Sequence, residues 1–255
     1  MDSLCRPTMA ANTIRMRRLT SAAGSIRMVP MDHGISMGPL PGIAQPRPTL
    51  EAVAGHATCV TTHQGLVGAT SPFARDVGVL MHLSGSTDLG PDPNDKRLVA
   101  SVETAVKMGC DGVSTHLNLG SPTEARMLQD LGAVSAACRD WGMPHIAMVY
   151  PRGPKIDDPF RADLVAHAAR LGAELGADAV KVPYTGDADS FRAVVDGAGV
   201  PVIIAGGPQQ ADVDDFLRAV QGAKDAGAAG VSVGRNVFQA DDPGAVMQRI
   251  AAIFP

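Results

Sequence analysis

Large aromatic side chains are scarce: six Phe, two Tyr and one Trp make up 4% of the 255 residues. A core without many rings has to be filled by aliphatic strands and by small-residue helices packed close together, an arrangement that suits α/β layers. Charge is sparse as well. Asp, Glu, Lys and Arg account for 19% of the chain and leave a net charge of −4, so no positive field is available to hold a polyanion and nucleic acid is not an expected partner. The four cysteines, Cys5, Cys59, Cys110 and Cys138, form no CxxC pair. They are too few for a disulfide framework in a chain of this length, and a reducing compartment fits them. No apolar run approaches the ~18 residues that a membrane-spanning helix needs. The basic stretch from Arg15 to Arg18 has no apolar signal core behind it. The expected location is therefore cytoplasmic, with no membrane partner. No GxGxxG turn follows the first apolar run, which argues against a dinucleotide-binding open sheet.

Hydrophobic residues make up 45% of the chain, enough for one large core. About 250 residues is an ordinary length for a single α/β barrel. Short apolar runs alternate with amphipathic stretches, the mark of repeated βα units. Eight strands are expected, near Arg27–Asp32, Thr58–His63, Val77–Ser84, Gly112–Leu117, His145–Tyr150, Ala177–Pro183, Pro201–Ala205 and Gly230–Val233. Helical stripes recur at Leu98, Val102 and Val106, from Leu128 to Trp141, from Leu164 to Leu175, and at Val213, Leu217 and Val220. Several helices run into a glycine just before the next strand, as at Gly109, Gly142, Gly176 and Gly227. The reading is a single (β/α)8 barrel over residues 1–255, with 1–14 as an N-terminal extension. The Pro- and Gly-rich stretch Gly34–Pro48 and the polar stretch Gly85–Asn94 then lie where strands end, the face on which barrel enzymes place their chemistry.

Strand alternation singles out a lysine. In the sixth run, Val180 and Val182 face the helices while Ala177, Ala179 and Lys181 face the interior. An inward lysine either snorkels to the rim, pairs with an acid such as Asp32, or serves as a covalent amine. The covalent use requires the neutral form, which a lysine of ordinary pKa ~10.4 adopts about once in 2,500 at pH 7. Desolvation and nearby cations, with Arg152 and Lys155 as candidates, would favour that form. The same alternation in the fifth run puts Ile146, Met148 and Tyr150 inside, so that a phenol able to exchange protons shares the cavity with Lys181. Asp32 and His33 end the first strand at the same rim. The last two strands end in Gly206-Gly207 and Gly234-Arg235, loops that in barrel enzymes often receive a phosphate. His33, His63, His82 and His116 also fall at strand ends. They could serve a metal-dependent class II aldolase, yet no HxH or HExxH spacing occurs, and polar substrate contacts are expected of His33 and His116 instead.

Five segments occur in a familiar order: Met31-Asp32-His33-Gly34, Tyr150-Pro151-Arg152-Gly153, Lys181 within Lys-Val-Pro-Tyr-Thr-Gly-Asp, Ala205-Gly206-Gly207-Pro208 and Val233-Gly234-Arg235-Asn236. From Arg27 to the C-terminus the chain resembles the class I aldolase family of archaeal-type fructose-bisphosphate aldolases and 2-amino-3,7-dideoxy-D-threo-hept-6-ulosonate synthases. The resemblance implies a (β/α)8 barrel, often a homodecamer of two stacked rings, that needs no cofactor and no metal. It makes Lys181 the Schiff-base residue, Tyr150 the acid/base group and Asp32 the proton-transfer carboxylate. Gly206, Gly207, Gly234 and Arg235 would hold a donor phosphate. Within the family, Tyr150–Ile156 and Thr115–Ser121 look like the heptulosonate synthase branch, which uses L-aspartate 4-semialdehyde as acceptor, while Pro183 departs from the polar residue of the archaeal synthases. A phosphorylated ketone, either dihydroxyacetone phosphate or a deoxy-keto-hexose phosphate, is the implied donor. The implied product is a C7 amino sugar or its phosphate, a precursor of aromatic compounds. Fructose-bisphosphate cleavage is the alternative within the family, and a non-covalent phosphate-binding isomerase is a further alternative outside it.

Overall fold

Eight of the expected apolar runs become the eight strands of a closed barrel in the computed structural model, which describes residues 10–255. The strands are β1 Ile26–Pro30, β2 Cys59–Thr62, β3 Gly78–His82, β4 Gly112–Leu119, β5 His145–Pro151, β6 Ala179–Val182, β7 Val202–Ala205 and β8 Gly230–Ser232. Each pairs in parallel with its sequence neighbours, and β8 closes onto β1 through Ile26 opposite Gly230. The helices are α1 Ala10–Leu19, before the first strand, and, after or between the strands, α2 Gly34–Met37, α3 Pro46–Val53, α4 Val67–Thr70, α5 Val102–Lys107, α6 Glu124–Trp141, α7 Ala162–Glu174, α8 Ala188–Ala198, α9 Val213–Asp225, α10 Arg235–Phe238 and α11 Pro243–Ile253. None of these helices is long and apolar enough to cross a membrane.

Two apolar layers follow from the two faces of each strand. Outward residues such as Val29, Val60, Val149, Val180 and Val182 join the helices in one continuous core, while Ile26, Met28, Cys59, Leu80, Ile146, Met148, Ala179 and Ile203 fill the barrel. Ala177, expected inside, packs instead in the outer layer. Its amide still bonds the Gly172 carbonyl at 3.1 Å in the turn that ends α7, so the period of two begins at Ala179 and a single alanine lies beneath Lys181. The turn itself depends on Gly176, whose φ of +106° disfavours a side chain.

One helical expectation shifts at its boundary. Leu98 pairs with Ser84 in a short antiparallel ribbon, because Ser101 starts α5 by accepting the Thr104 amide on its hydroxyl at 3.2 Å. The helix α8, with Phe191, Val194 and Ala198 buried, closes the gap between β6 and β7.

Residues 10–14, expected within the N-terminal extension, form the first half of α1 and belong to the barrel floor; residues 1–9 lie outside the described residues. Asn12 donates to Asp178 Oδ2 at 3.2 Å, and Arg15 donates to the carbonyls of Trp141 and Gly142 at 2.9 and 2.8 Å. These contacts anchor the helix whose last residue, Leu19, is fully buried among the inward-facing residues of the barrel. A Cβ at Gly78 or Gly112 would come within 2.9 or 3.0 Å of the Leu19 methyls, so glycine at those two strand starts makes the room for the plug. Leu19→Ala is expected to cost about 2–5 kcal/mol, because the surrounding strands cannot collapse into the void; urea unfolding measures it.

Candidate active site

At the opposite end the barrel opens into a cavity of about 390 Å³, lined by side chains and glycines from the strand ends and the strand-to-helix loops. Lys181 stands in its wall, 6% exposed. Its nearest polar partner in the structure is Met148 Sδ at 3.9 Å, on the strand beside it. Among the described residues no carboxylate pairs with the ammonium within 4.0 Å; Asp32 turns its oxygens to His33 at 3.5 Å and His82 at 3.7 Å. The ion-pair reading of Lys181 is thereby set aside in favour of an amine facing open space.

One pleat above Met148, Tyr150 reaches the same cavity. Its ring is held between the His116 imidazole, 4.9 Å away and tilted by 33°, and the Arg152 guanidinium at 4.7 Å. His116 in turn bonds Asn118 Oδ1 through Nε2 at 2.9 Å, and its amide donates to Ser84 Oγ at 3.0 Å. The Tyr150 ring is therefore placed by contacts with both side chains.

The imidazoles around Asp32 are held uncharged. Burial pushes His82 down to about 4 and also lowers His33, against the opposing pull of Asp32. Burial, with Lys96 and Arg152 nearby, takes His116 well below the ordinary range. For Asp32 burial acts the other way, but His82, His33, Lys181 and His63 outweigh it, and the carboxyl sits well below the usual carboxylate range. At neutral pH the rim of β1 thus presents an ionised carboxylate beside His33 and His82, whose charged forms burial disfavours.

The ends of β7 and β8 form one glycine-lined shelf. Asn236 holds it together, donating to the Gly206 and Pro208 carbonyls at 2.8 and 2.9 Å and accepting from the Gln210 amide at 2.8 Å. A Cβ on Gly234 would meet the His33 ring at 2.7 Å, and one on Gly206 would press Val233 at 2.8 Å. Arg235 donates to the Gly207 carbonyl at 3.3 Å. Its buried Nε has no partner, and neither has the Oγ of Ser232, which lines the same wall. These donors are available to an acceptor that enters the cavity.

A family model described as "DeoC/LacD family aldolase" matches residues 26–240. The chain belongs to that aldolase family. It is 42% identical over 245 residues to the 2-amino-4,5-dihydroxy-6-oxo-7-(phosphonooxy)heptanoate synthase of Streptomyces griseus, covering 94% of this chain and 89% of that one. It is 44% identical to 2-amino-3,7-dideoxy-D-threo-hept-6-ulosonate synthase 1 of Archaeoglobus fulgidus, over 90% and 85% of the two chains. Among solved structures it resembles an archaeal fructose-1,6-bisphosphate aldolase whose catalytic Lys is covalently bound to the carbinolamine intermediate, with a TM-score of 0.88, 31% identity, and 95% and 99% of the chains covered.

Of the residues singled out by this aldolase's sequence, the cavity gathers Asp32, His33, His116, Tyr150, Arg152, Lys181, Gly206, Gly207, Gly234 and Arg235. Lys155 is a correction: it is exposed and outside the lining, because the turn that bonds the Ile156 amide to the Gly153 carbonyl at 3.0 Å carries it past the rim. His63 and His82 line the cavity too, but no three His, Cys, Asp or Glu among the described residues are grouped to share a metal ion. Sequence reasoning missed Ser84, Asp88, Lys96 and Ser232. Ser232 was within reach, since alternation from Gly230 turns it inward; the others depend on how a loop folds.

Two expected results follow from this geometry. Arg235→Met should raise the KM for a phosphorylated donor by about 10- to 100-fold, the worth of one charge-assisted contact, and leave thermal stability nearly unchanged. Steady-state kinetics and a melt separate the two. The second concerns acid. Burial holds His82 near 4 and His145, clasped between Thr115 and Ser135 hydroxyls, near 3, whereas the unfolded chain protonates both near 6.5. Their stabilising contribution is complete above that pH and is lost as pH falls toward 4 and then 3, at about 1.4 kcal/mol per pH unit per imidazole. Unfolding free energies measured from pH 7 downward should decline accordingly, and His145→Gln should flatten the slope. A level profile would contradict it.

Proposed function

We propose that this chain is a class I aldolase that joins a phosphorylated ketone to L-aspartate 4-semialdehyde through a Schiff base on Lys181. The observation that carries the reading is the buried amine, free of any carboxylate partner within 4.0 Å among the described residues, sharing one cavity with a phenol, an ionised acid and a shelf of unpartnered anion donors. The product names of the relatives supply the substrate class. In a 2-amino-4,5-dihydroxy-6-oxo-7-(phosphonooxy)heptanoate, breaking the bond between the two hydroxyl-bearing carbons returns dihydroxyacetone phosphate and aspartate 4-semialdehyde. The phosphate then lies one methylene from the keto carbon, matching a shelf on β7 and β8 next to Lys181 on β6. Holding both ends of the donor this way can contribute several kcal/mol to the barrier reduction.

In this reading the Lys181 amine adds to the keto carbon to give a carbinolamine, which loses water to an iminium ion. Asp32 takes a proton from the adjacent hydroxymethyl carbon, and the resulting enamine carbon attacks the aldehyde. Tyr150 gives its proton to the carbinolamine hydroxyl or to the new alkoxide, and water then releases the product and restores the amine. The iminium is the electron sink. The buried free thiols Cys59, Cys110 and Cys138 support placing the enzyme in the reducing cytosol. A decameric ring, implied by the family resemblance, belongs to the same reading, and the particle mass in solution measures it.

Borohydride added with dihydroxyacetone phosphate should fix the reduced adduct on the peptide that contains Lys181, read by mass spectrometry. Absence of the adduct, with activity abolished by chelation, would move the chemistry to a metal-dependent class II aldolase. Product analysis with aspartate semialdehyde and with glyceraldehyde 3-phosphate as paired acceptors separates the proposed condensation from fructose-bisphosphate chemistry.

A further inference from the structure

The anion shelf accounts for one wall of the cavity. In the ring order of the strands, β3 and β4 stand across from β7 and β8, with Lys181 between them on β6. That far wall has a charge pattern of its own. Lys96 comes from the ribbon after β3 and Arg152 from the loop after β5; both line the cavity, and burial with Arg152 nearby disfavours the charged form of Lys96. Neither cation has a carboxylate within 4.0 Å among the described residues. Two acids nearby have partners of their own: Asp95 Oδ2 takes both guanidinium contacts of Arg97, at 2.8 and 2.6 Å, and Asp92 caps the Asn94 amide at 2.8 Å. Asp88 is the exception. It lines the cavity without a cationic partner within 4.0 Å among the described residues, its amide fastened to the Ser36 carbonyl at 3.0 Å.

The far wall is also built rather than loose. Asn118 donates to the Asn94 carbonyl at 2.8 Å, Ser86 to the Pro93 carbonyl at 2.7 Å, and Lys96 to Ser86 Oγ. Ser36 donates to the Ser86 carbonyl at 2.9 Å, which ties the loop after β1 to the ribbon. These bonds hold two cations and one anion around a mouth whose opposite side takes the donor. A phosphate-bearing aldehyde would satisfy the cations but be repelled by Asp88. A group with a carboxylate and an ammonium on one carbon satisfies all three.

We propose that this wall is an α-amino-acid subsite, in which Lys96 and Arg152 receive the acceptor's α-carboxylate and Asp88 receives its α-ammonium group. The inference rests on the aldolase reading above and names the residues that make it selective for an amino-acid aldehyde. It also sets the direction of the acceptor: the charged carbon toward β3 and β4, the aldehyde carbon toward Lys181.

The test compares L-aspartate 4-semialdehyde with 4-oxobutanoate, the same aldehyde without its amino group, using dihydroxyacetone phosphate as donor. Asp88→Asn should raise the KM for aspartate semialdehyde about tenfold, the loss expected for one charged contact, and leave that for 4-oxobutanoate level or lower. Lys96→Met should raise both by about tenfold or more, since both acceptors carry the carboxylate. Borohydride trapping of dihydroxyacetone phosphate on each variant reports the donor half of the reaction separately. If trapping is intact and Asp88→Asn shifts both acceptors alike, or Lys96→Met shifts neither, the subsite is wrong while the aldolase reading stands. If the wild-type chain traps no ketone, the aldolase reading falls and the subsite with it.

Discussion

Lys181→Met should abolish condensation, lowering kcat by roughly 10⁵-fold or more, as expected when the nucleophile of a covalent mechanism is removed. The fold should survive. Methionine keeps the unbranched stem that lies among Met148, Ala179 and Ile203, and no ion pair within 4.0 Å is broken among the described residues. A buried ammonium without a paired acid is costly, so its loss leaves stability level or raises it slightly. One electrostatic consequence is specific. Lys181 is among the charges that hold Asp32 low, so the Asp32 carboxyl should titrate at higher pH in the variant. The decisive measurement pairs turnover with borohydride trapping and a thermal melt. Full activity in a folded Lys181→Met enzyme would eliminate the imine and leave Asp32 as a plain base in a non-covalent reaction.

Tyr150→Phe should reduce kcat by about 10²- to 10⁴-fold, the usual worth of a positioned proton donor. The phenyl ring preserves the stack between His116 and Arg152, and among the described residues the hydroxyl has no protein partner that its removal would strand. In the proposed reading the phosphorylated ketone is held by the shelf at the ends of β7 and β8, so its binding should change little and the loss belongs in kcat rather than KM. Rapid-mix experiments show which proton transfer is affected. If the phenol serves the carbinolamine, trapping slows together with turnover; if it serves the new alkoxide, the adduct forms at the wild-type rate and accumulates. A kcat within about threefold of wild type, far short of the loss expected of a proton donor, would remove Tyr150 from proton transfer altogether.

Much of this site was legible because β-strand geometry is local. A period of two fixes which side of a strand each residue takes, and once β5 and β6 are located, Tyr150 and Lys181 must face one space. Glycines at the ends of β7 and β8 likewise mark where backbone can approach a ligand, whatever surrounds them. The same locality explains an error: Ala177 follows the alternation on paper, but a helix-ending turn at Gly176 delays the strand by two residues. The sequence by itself therefore determined the barrel, the end at which its cavity opens, and the shared direction of Lys181 and Tyr150.

Tertiary structure decided what no short window contains. Lys96 and Asp88 become cavity walls through bonds of their loop to Asn118 and Ser36, far away along the chain, while Lys155, just past the turn at Gly153, is carried out to solvent. The neutrality of His33, His82 and His116 and the ionisation of Asp32 arise from burial and mutual fields that exist once all the strand ends are assembled. Helix α1 becomes the floor because Leu19 finds room above two glycines on separate strands. Periodicity is written in neighbouring residues, whereas solvation and charge depend on everything within a few ångströms in space, and that neighbourhood is a property of the closed barrel.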